Sequence, residues 1–482
     1  MNSKLVFHIL GMILRVEAVL MLPSAVIGFV SRTGDGPDFL LAAAITLAVG
    51  QALTFLPRKG AKMQARDGFA TVGLGWIVLS LFGALPYVFS GVIPNYIDAV
   101  FETVSGFTTT GATVLYPLEG LPTGVLFWRA QTQWMGGVGV LVLALALVPK
   151  LGEGSVYLMR AESPGPIKSK LTPRLSDTAK ILYCIYIGLT VAETICLRLA
   201  GMNWYEALTH AFTTVSTGGF SVRNASIAAY DSMVIDWIII VFMFLSGVNF
   251  ALLFYAVRRN FKAVFESEEL RSYTIMTVAA VALIVVNLVA HAGWALDAET
   301  ITDATFQVVT LMTTTGYMTY DYVLWPTFAQ TVLILVMFAG ACAGSTAGGV
   351  KQIRVVLLFK NLNREIQRIL HPRAVKTIRC DGERVEEPIL SGITLFFFAY
   401  ITLLLAGTLV VAWDDVGFTA AFTASLTCIS NVGPAFDILG PTSNFSMLSG
   451  VSKIVLSLNM LLGRLEIMPL LLLVFPGLWK KR

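Results

Sequence analysis

Residues 97–111 read Ile97-Asp98-Ala99-Val100-Phe101-Glu102-Thr103-Val104-Ser105-Gly106-Phe107-Thr108-Thr109-Thr110-Gly111. The segment is apolar enough to enter a membrane but too short to cross about 30 Å of hydrocarbon, which takes roughly 20 residues of helix. It follows a long apolar block that ends near residue 93 and precedes another that begins near 125. That order suits a half-helix that dips into the membrane and turns back. It recurs three times: Trp204–Val215 leads into Ser216-Thr217-Gly218-Gly219, Ile301–Met312 into Thr313-Thr314-Thr315-Gly316, and Gly417–Ile429 into Ser430-Asn431-Val432-Gly433. Gly111, Gly218, Gly316 and Gly433 mark the copies at intervals of roughly a hundred residues, an internal repeat. A single hydroxyl-then-glycine step reads as an ordinary helix cap. Four of them, each at the same place in a unit of span, half-helix, turn and span, point to a shared pore role.

Composition agrees. Of 482 residues, 56% are hydrophobic and only 13% charged, where a soluble chain carries about a quarter, and the mean hydropathy is +0.75. Apolar blocks cover 38–57, 68–93, 125–149, 181–201, 234–257, 273–296, 327–342, 389–413 and 454–475, with a tenth at 5–30 despite Arg15 and Glu17. That pair either neutralises itself or faces protein instead of lipid. Arg15 and Glu17 also argue against a cleaved signal. The expected fold is therefore all-α and integral to the membrane, with about ten transmembrane helices. Four pseudo-symmetric helix–pore-helix–filter–helix repeats would surround one ion pathway, at 61–150, 151–260, 261–370 and 371–482. A leader of two N-terminal helices, 1–60, precedes them.

Every Lys and Arg except Arg15, Arg32, Arg129, Arg198, Arg223, Lys453 and Arg464 falls at Lys4 or in the segments 57–67, 149–180, 258–271, 351–388 and 480–482. A bias of that kind places these segments, and both termini, in the cytoplasm. It also explains the basic loops without a nucleic-acid partner. Asp98, Glu102, Asp231, Asp236, Asp303, Asp321, Asp414, Asp415 and Asp437 fall on the opposite face. Cys184, Cys196, Cys342, Cys380 and Cys428 show no metal-ligand spacing and are expected as free thiols. His8, His210, His291 and His371 are scattered, with no HExxH or nucleophile elbow, so an enzyme is not expected.

A dehydrated cation needs oxygens in place of water, and backbone carbonyls supply them when successive C=O groups face one axis. Glycine permits the positive φ and close approach such a backbone requires. Half-helices ending at mid-membrane would add the partial negative charge of their C-termini.

Thr108-Thr109-Thr110-Gly111-Ala112, Ser216-Thr217-Gly218-Gly219-Phe220, Thr313-Thr314-Thr315-Gly316-Tyr317 and Ser430-Asn431-Val432-Gly433-Pro434 together resemble the four filter segments of the Trk/Ktr/HKT potassium transporter superfamily. The leading pair of spans resembles the membrane subunit of the bacterial Trk system more than the eight-span Ktr subunit. The resemblance covers essentially the whole chain. It implies K+, and Rb+ with it, bound as a metal ion at filter residues Thr109, Thr110, Gly111, Ser216, Thr217, Gly218, Thr314, Thr315, Gly316, Asn431, Val432 and Gly433. Glycine at Gly111, where the family also uses serine, goes with K+ over Na+. Further implications are a bacterial inner-membrane location, a homodimer in membrane lipid, and a cytosolic TrkA-type nucleotide-binding ring. NAD or ATP would act only through that ring, since the chain has no GxGxxG or Walker A unit.

Two features stand out from the spans. Gly340-Ala341-Cys342-Ala343-Gly344-Ser345-Thr346-Ala347-Gly348-Gly349, followed by Lys351, is glycine-dense. It suits either a close small-residue helix contact or a broken helix with a loop under the filter. The resemblance implies the loop, with Gly344–Gly349 as a gate. Arg464 sits in an otherwise apolar span, where a central Arg costs about 2.5–3.5 kcal/mol. It pairs either with Glu466 or another helix, or, as the resemblance implies, forms a positive barrier below the filter with Lys351. A coupled Na+ or H+ symporter is the alternative, with Glu193, Asn249 and Asn287 as its polar candidates.

Overall fold

The computed structural model describes residues 3–55, 64–137, 139, 175–373 and 376–475. The expected first inner loop at 57–60, most of the 149–180 segment and residues 480–482 lie outside that set. The leader comprises α1 (Ser3–Leu20), α2 (Leu22–Ser31) and α3 (Gly36–Thr54). Glu17 turns inward, its Oε1 2.9 Å from where a Cβ on Gly83 would lie, while Arg15 is exposed. The two therefore face apart instead of neutralising each other.

The first unit contains α4 (Ala65–Gly83), α5 (Leu85–Phe89), half-helix α6 (Tyr96–Phe107) and α7 (Thr123–Gly137). The second contains α8 (Leu175–Leu199), half-helix α9 (Trp204–Val215), α10 (Met233–Ser246) and α11 (Phe250–Val257). A short α12 (Phe261–Glu266) leads to the third unit: α13 (Glu268–His291), half-helix α14 (Ala298–Met312) and α15 (Thr327–Ala339). The amphipathic α16 (Gln352–Leu370) connects to the fourth, made of α17 (Glu387–Val411), half-helix α18 (Phe418–Ser430), α19 (Gly450–Arg464) and α20 (Met468–Val474). Between α16 and α17 a two-residue Asp381-Gly382 turn joins β1 (Arg379–Cys380) to β2 (Glu383–Arg384). Both turn residues have positive φ, as a type I′ hairpin requires.

Local chemistry starts the half-helices where the sequence suggests. The side chains of Asn95, Asn203 and Asp297 accept from the free N–H groups of the first turns of α6, α9 and α14, which stabilises each start by about 1 kcal/mol. Each half-helix packs between the two spans of its own unit. The second span of each unit then packs on the next unit's half-helix: α7 on α9, α10 on α14, α15 on α18, and α19 back on α6. The four units thus form a closed ring. All five cysteines are free.

Six described helices are long and apolar enough to cross a membrane, and α10 with α11 makes a seventh if that pair, bent by 104°, is one span. The shortfall from ten lies in the second spans. A break was expected only in the third unit. The structure also breaks the second, at Gly247–Asn249, and the fourth, where Glu466 and Ile467 have positive φ between α19 and α20. The physical reason is crowding below the half-helices. A Cβ on Gly463 would lie 2.0 Å from Ile429 O, and one on Gly247 3.0 Å from Thr313 Cγ2.

A buried ion pair fixes the first unit. Arg129 Nε on α7 donates to Glu102 Oε1 on α6 at 2.7 Å, both side chains essentially excluded from solvent. Glu102 also accepts from Thr113 Oγ1 and Val114 N, just beyond the turn at Gly111. Arg129→Leu leaves the Glu102 carboxylate buried without its cation and is expected to destabilise the protein by about 3–5 kcal/mol. Pairing it with Glu102→Gln should recover part of that loss. Thermal unfolding in detergent checks both, and an unchanged melting temperature for the single variant would show that the pair carries no such weight.

Candidate ion-conduction site

Each half-helix ends in the same turn. Thr109, Thr217, Thr314 and Asn431 have φ of 54°, 55°, 57° and 57°. The next residue donates its N–H five residues back: Thr110 to Ser105 O at 2.9 Å, Gly218 to Thr213 O at 2.8 Å, Thr315 to Thr310 O at 2.8 Å and Val432 to Thr427 O at 2.9 Å. This is the Schellman closure, usually made with glycine at the left-handed position. Threonine there is β-branched and strained, by about 1–3 kcal/mol per residue. After the intervening residue, Gly111, Gly219, Gly316 and Gly433 are again at positive φ, 87°, 75°, 83° and 111°. Alternation in the sign of φ turns successive peptide N–H groups toward one side and the carbonyls toward the other. Here the N–H side faces back to the helix. Among the described residues, no hydrogen bond ends on the carbonyls of Thr109, Thr110, Thr217, Thr314, Thr315, Asn431 or Val432.

The four turns meet. A Cβ on Gly111 would sit 2.3 Å from Gly218 O, one on Gly219 1.8 Å from Thr315 O, one on Gly316 2.2 Å from Val432 O, and one on Gly433 2.7 Å from Thr110 O. Each glycine therefore makes room for a carbonyl of the next loop, and the fourth returns to the first.

The ring corrects the sequence register in one place. The sequence pattern marks the second copy with Gly218, but the left-handed glycine that abuts its neighbour is Gly219. Gly218 occupies the position of Thr110 and Thr315, and Ser216 that of Thr108 and Thr313. The Gly218-Gly219 doublet offers two alignments, and sequence alone does not choose between them. A second residue that sequence reading missed is Gln133 on α7, buried behind this loop, whose Nε2 donates to Gly218 O at 2.6 Å and whose Oε1 accepts from Phe220 N at 3.0 Å.

Below the ring, α15 stops at Ala339 and α16 resumes at Gln352. The loop between them is bonded to three of the four units. Thr346 Oγ1 donates to Val215 O at 3.1 Å and to Ser246 O at 3.2 Å. Gly348 N donates to Thr314 Oγ1 at 2.7 Å, and Gly349 N to Ser430 O at 2.8 Å. Glu269, also missed from sequence, joins the two ends of the loop by accepting from Ala343 N at 2.6 Å and Ile353 N at 3.2 Å. Arg464 donates to the carbonyls of Thr346, Gly136 and Gly137, each at 2.7 Å. Glu466, its suggested partner, pairs with Arg354 instead. Lys351 Nζ donates to Ala347 O within the loop. Among the acidic residues of the opposite face, Asp98 pairs with Lys453 at 2.7 Å and Asp414 accepts from Ser449 N, which are structural roles. His210 is likewise buried, between Glu206 O and Ser221 Oγ.

Comparison with known proteins gives consistent matches. Residues 35–480 match a family model described as "TrkH: Cation transport protein". The chain is 38% identical over the full length of both proteins to the Trk system potassium uptake protein TrkH of Escherichia coli K12, and 39% identical, again end to end, to the TrkH of Halomonas elongata. Its fold matches the crystal structure of the potassium transporter TrkH from Vibrio parahaemolyticus with a TM-score of 0.89, at 35% identity and complete coverage of both chains.

The register makes a ranking. Gly219→Ala meets a neighbouring backbone carbonyl at positive φ and is expected to cost at least about 2 kcal/mol. Gly218→Ala meets the movable end of Gln133 and costs less. Gly188→Ala, exposed on α8 with nothing within 4 Å, is expected to be neutral or to stabilise by up to about 1 kcal/mol. Melting temperatures of the three check the order, and a larger loss at Gly218 than at Gly219 would reverse the register.

Proposed function

The chain belongs to the TrkH family of cation transport proteins, and from that premise we propose that it takes up potassium across the cytoplasmic membrane through a gated filter of backbone carbonyls. The observation that carries this reading is the closed cycle of four glycine–carbonyl approaches, which brings equivalent backbone from every unit to one centre. In this reading the filter is Thr109, Thr110, Gly111, Thr217, Gly218, Gly219, Thr314, Thr315, Gly316, Asn431, Val432 and Gly433, with Ser216 at its base. The carbonyls replace the hydration shell of K+ or Rb+, and the C-termini of α6, α9, α14 and α18 add favourable dipoles. The relatives' names, potassium uptake proteins of the Trk system, support the choice of ion and give no sign of an enzyme.

Gly344–Gly349 form the gate, held closed by Arg464 and Lys351. A guanidinium beneath the filter raises the barrier to a cation, and its three carbonyl bonds brace the loop. The basic segments face the cytoplasm with both termini, in a bacterial inner membrane. There a TrkA-type ring carrying NAD or ATP engages a homodimer of this chain and moves the loop. The alternative, Na+- or H+-coupled symport, finds a candidate in Glu193, fully buried on α8 beside Thr214 of α9.

Purified protein in liposomes tests the reading. Rb+ and K+ should enter and Na+ and Li+ should lag; equal entry of all four would end the filter assignment. A proton or Na+ current in fixed ratio to K+ would favour the symporter. Arg464→Ala should speed Rb+ flux roughly tenfold if it removes about 1.4 kcal/mol of barrier, with ion preference retained. Slower flux at equal expression would contradict a closing role.

A further inference from the structure

The second loop departs from the other three. Where they carry Thr110, Thr315 and Val432, it has Gly218, and the space of the missing side chain is filled from another element. A Cβ on Gly218 would lie 2.4 Å from Gln133 Cδ, 2.5 Å from its Oε1 and 2.8 Å from its Nε2. Gln133 comes from α7 of the preceding unit and is completely buried. Its two bonds straddle the critical glycine: Nε2 donates to Gly218 O, on one side of Gly219, and Oε1 accepts from Phe220 N on the other. Among the described residues, no donor reaches the equivalent carbonyls Thr110 O, Thr315 O or Val432 O. One of the four ring carbonyls is therefore tethered and shares its electron density with an amide, and three are not.

We infer that Gln133 is a positioning residue for ion selection: its amide fixes the Gly218 carbonyl at the radius of a K+-sized ion and resists collapse onto a smaller one. The inference rests on the filter assignment above. A free carbonyl can swing inward to follow Na+ or Li+, whereas one held from behind at 2.6 Å cannot do so without breaking that bond. The donor also lowers the field strength of one oxygen in four, which disfavours the smaller, more strongly hydrated ions.

Space filling and tethering make different predictions, and Gly218 separates them. Gln133→Leu keeps most of the volume and removes the donor. Gly218→Thr alone places a side chain where Gln133 already lies and is expected to lower the melting temperature. Gln133→Ala with Gly218→Thr empties that space, refills it from the loop as in the first and third units, and leaves the carbonyl untethered. All are made in the full chain, reconstituted in liposomes and compared for Rb+ and Na+ uptake. Gln133→Leu and the double variant are expected to raise the Na+:Rb+ flux ratio by roughly three- to tenfold, the size of one lost hydrogen bond. The double variant should also melt higher than Gly218→Thr. A double variant that folds and selects like the wild type would show that Gln133 only fills space, and would overturn the inference while leaving the filter assignment intact. A wild-type protein without Rb+ preference would overturn both.

Discussion

The whole arrangement depends on backbone approaching backbone with no side chain between. At Gly219 the neighbouring carbonyl of Thr315 lies 1.8 Å from where a Cβ would be, and the other three loops repeat that crowding. Only glycine satisfies both that contact and the left-handed φ. The elements around the ring hold these contacts. The half-helices end in identical backbone closures, and the strained threonines at the left-handed positions persist because packing on all sides leaves them no alternative. The second spans of the second, third and fourth units bend or break beneath the helix ends, and the Glu102–Arg129 pair anchors the segment that leaves the first turn.

Much of this was legible from residue order. The half-helices appear within about three residues of where apolarity and the glycine turns place them, because a short apolar run ended by hydroxyls and glycine has few other solutions at membrane depth. The glycine-dense stretch at 340–349 was legible as a break for the same reason. The breaks at Gly247–Asn249 and Glu466–Ile467 were not. Their local sequence is compatible with helix, and what crowds them comes from a distant half-helix end: Thr313 of the third unit at Gly247, and Ile429 of α18 at Gly463. The choice between Gly218 and Gly219 is not in the local sequence, because it depends on which of them meets Thr315. Gln133 and Glu269 gave no local signal at all, since their partners lie 74 to 87 residues away in sequence. Contacts of that reach belong to the fold and not to any motif.

The four units are alike in backbone and unlike in what backs them. A hydroxyl pair, Thr108 with Thr110 at 2.7 Å and Thr313 with Thr315 at 2.8 Å, stands behind the first and third loops. An imported glutamine backs the second, while in the fourth Asn431 reaches across to Thr110 Oγ1. The loop beneath bonds to three units directly and reaches the first through Arg464. A ring formed within one chain lets each sector acquire its own support, which a ring of identical subunits cannot do.

Closure of that ring also orders events in time. The first half-helix finds its last neighbour in α19, and Asp98 meets Lys453 across 355 residues of sequence. During synthesis the early units therefore enter the membrane with one flank bare, exposing polar main chain that nothing yet covers. The ring is therefore closed only when the final unit arrives, because α19 supplies the last flank of the first half-helix.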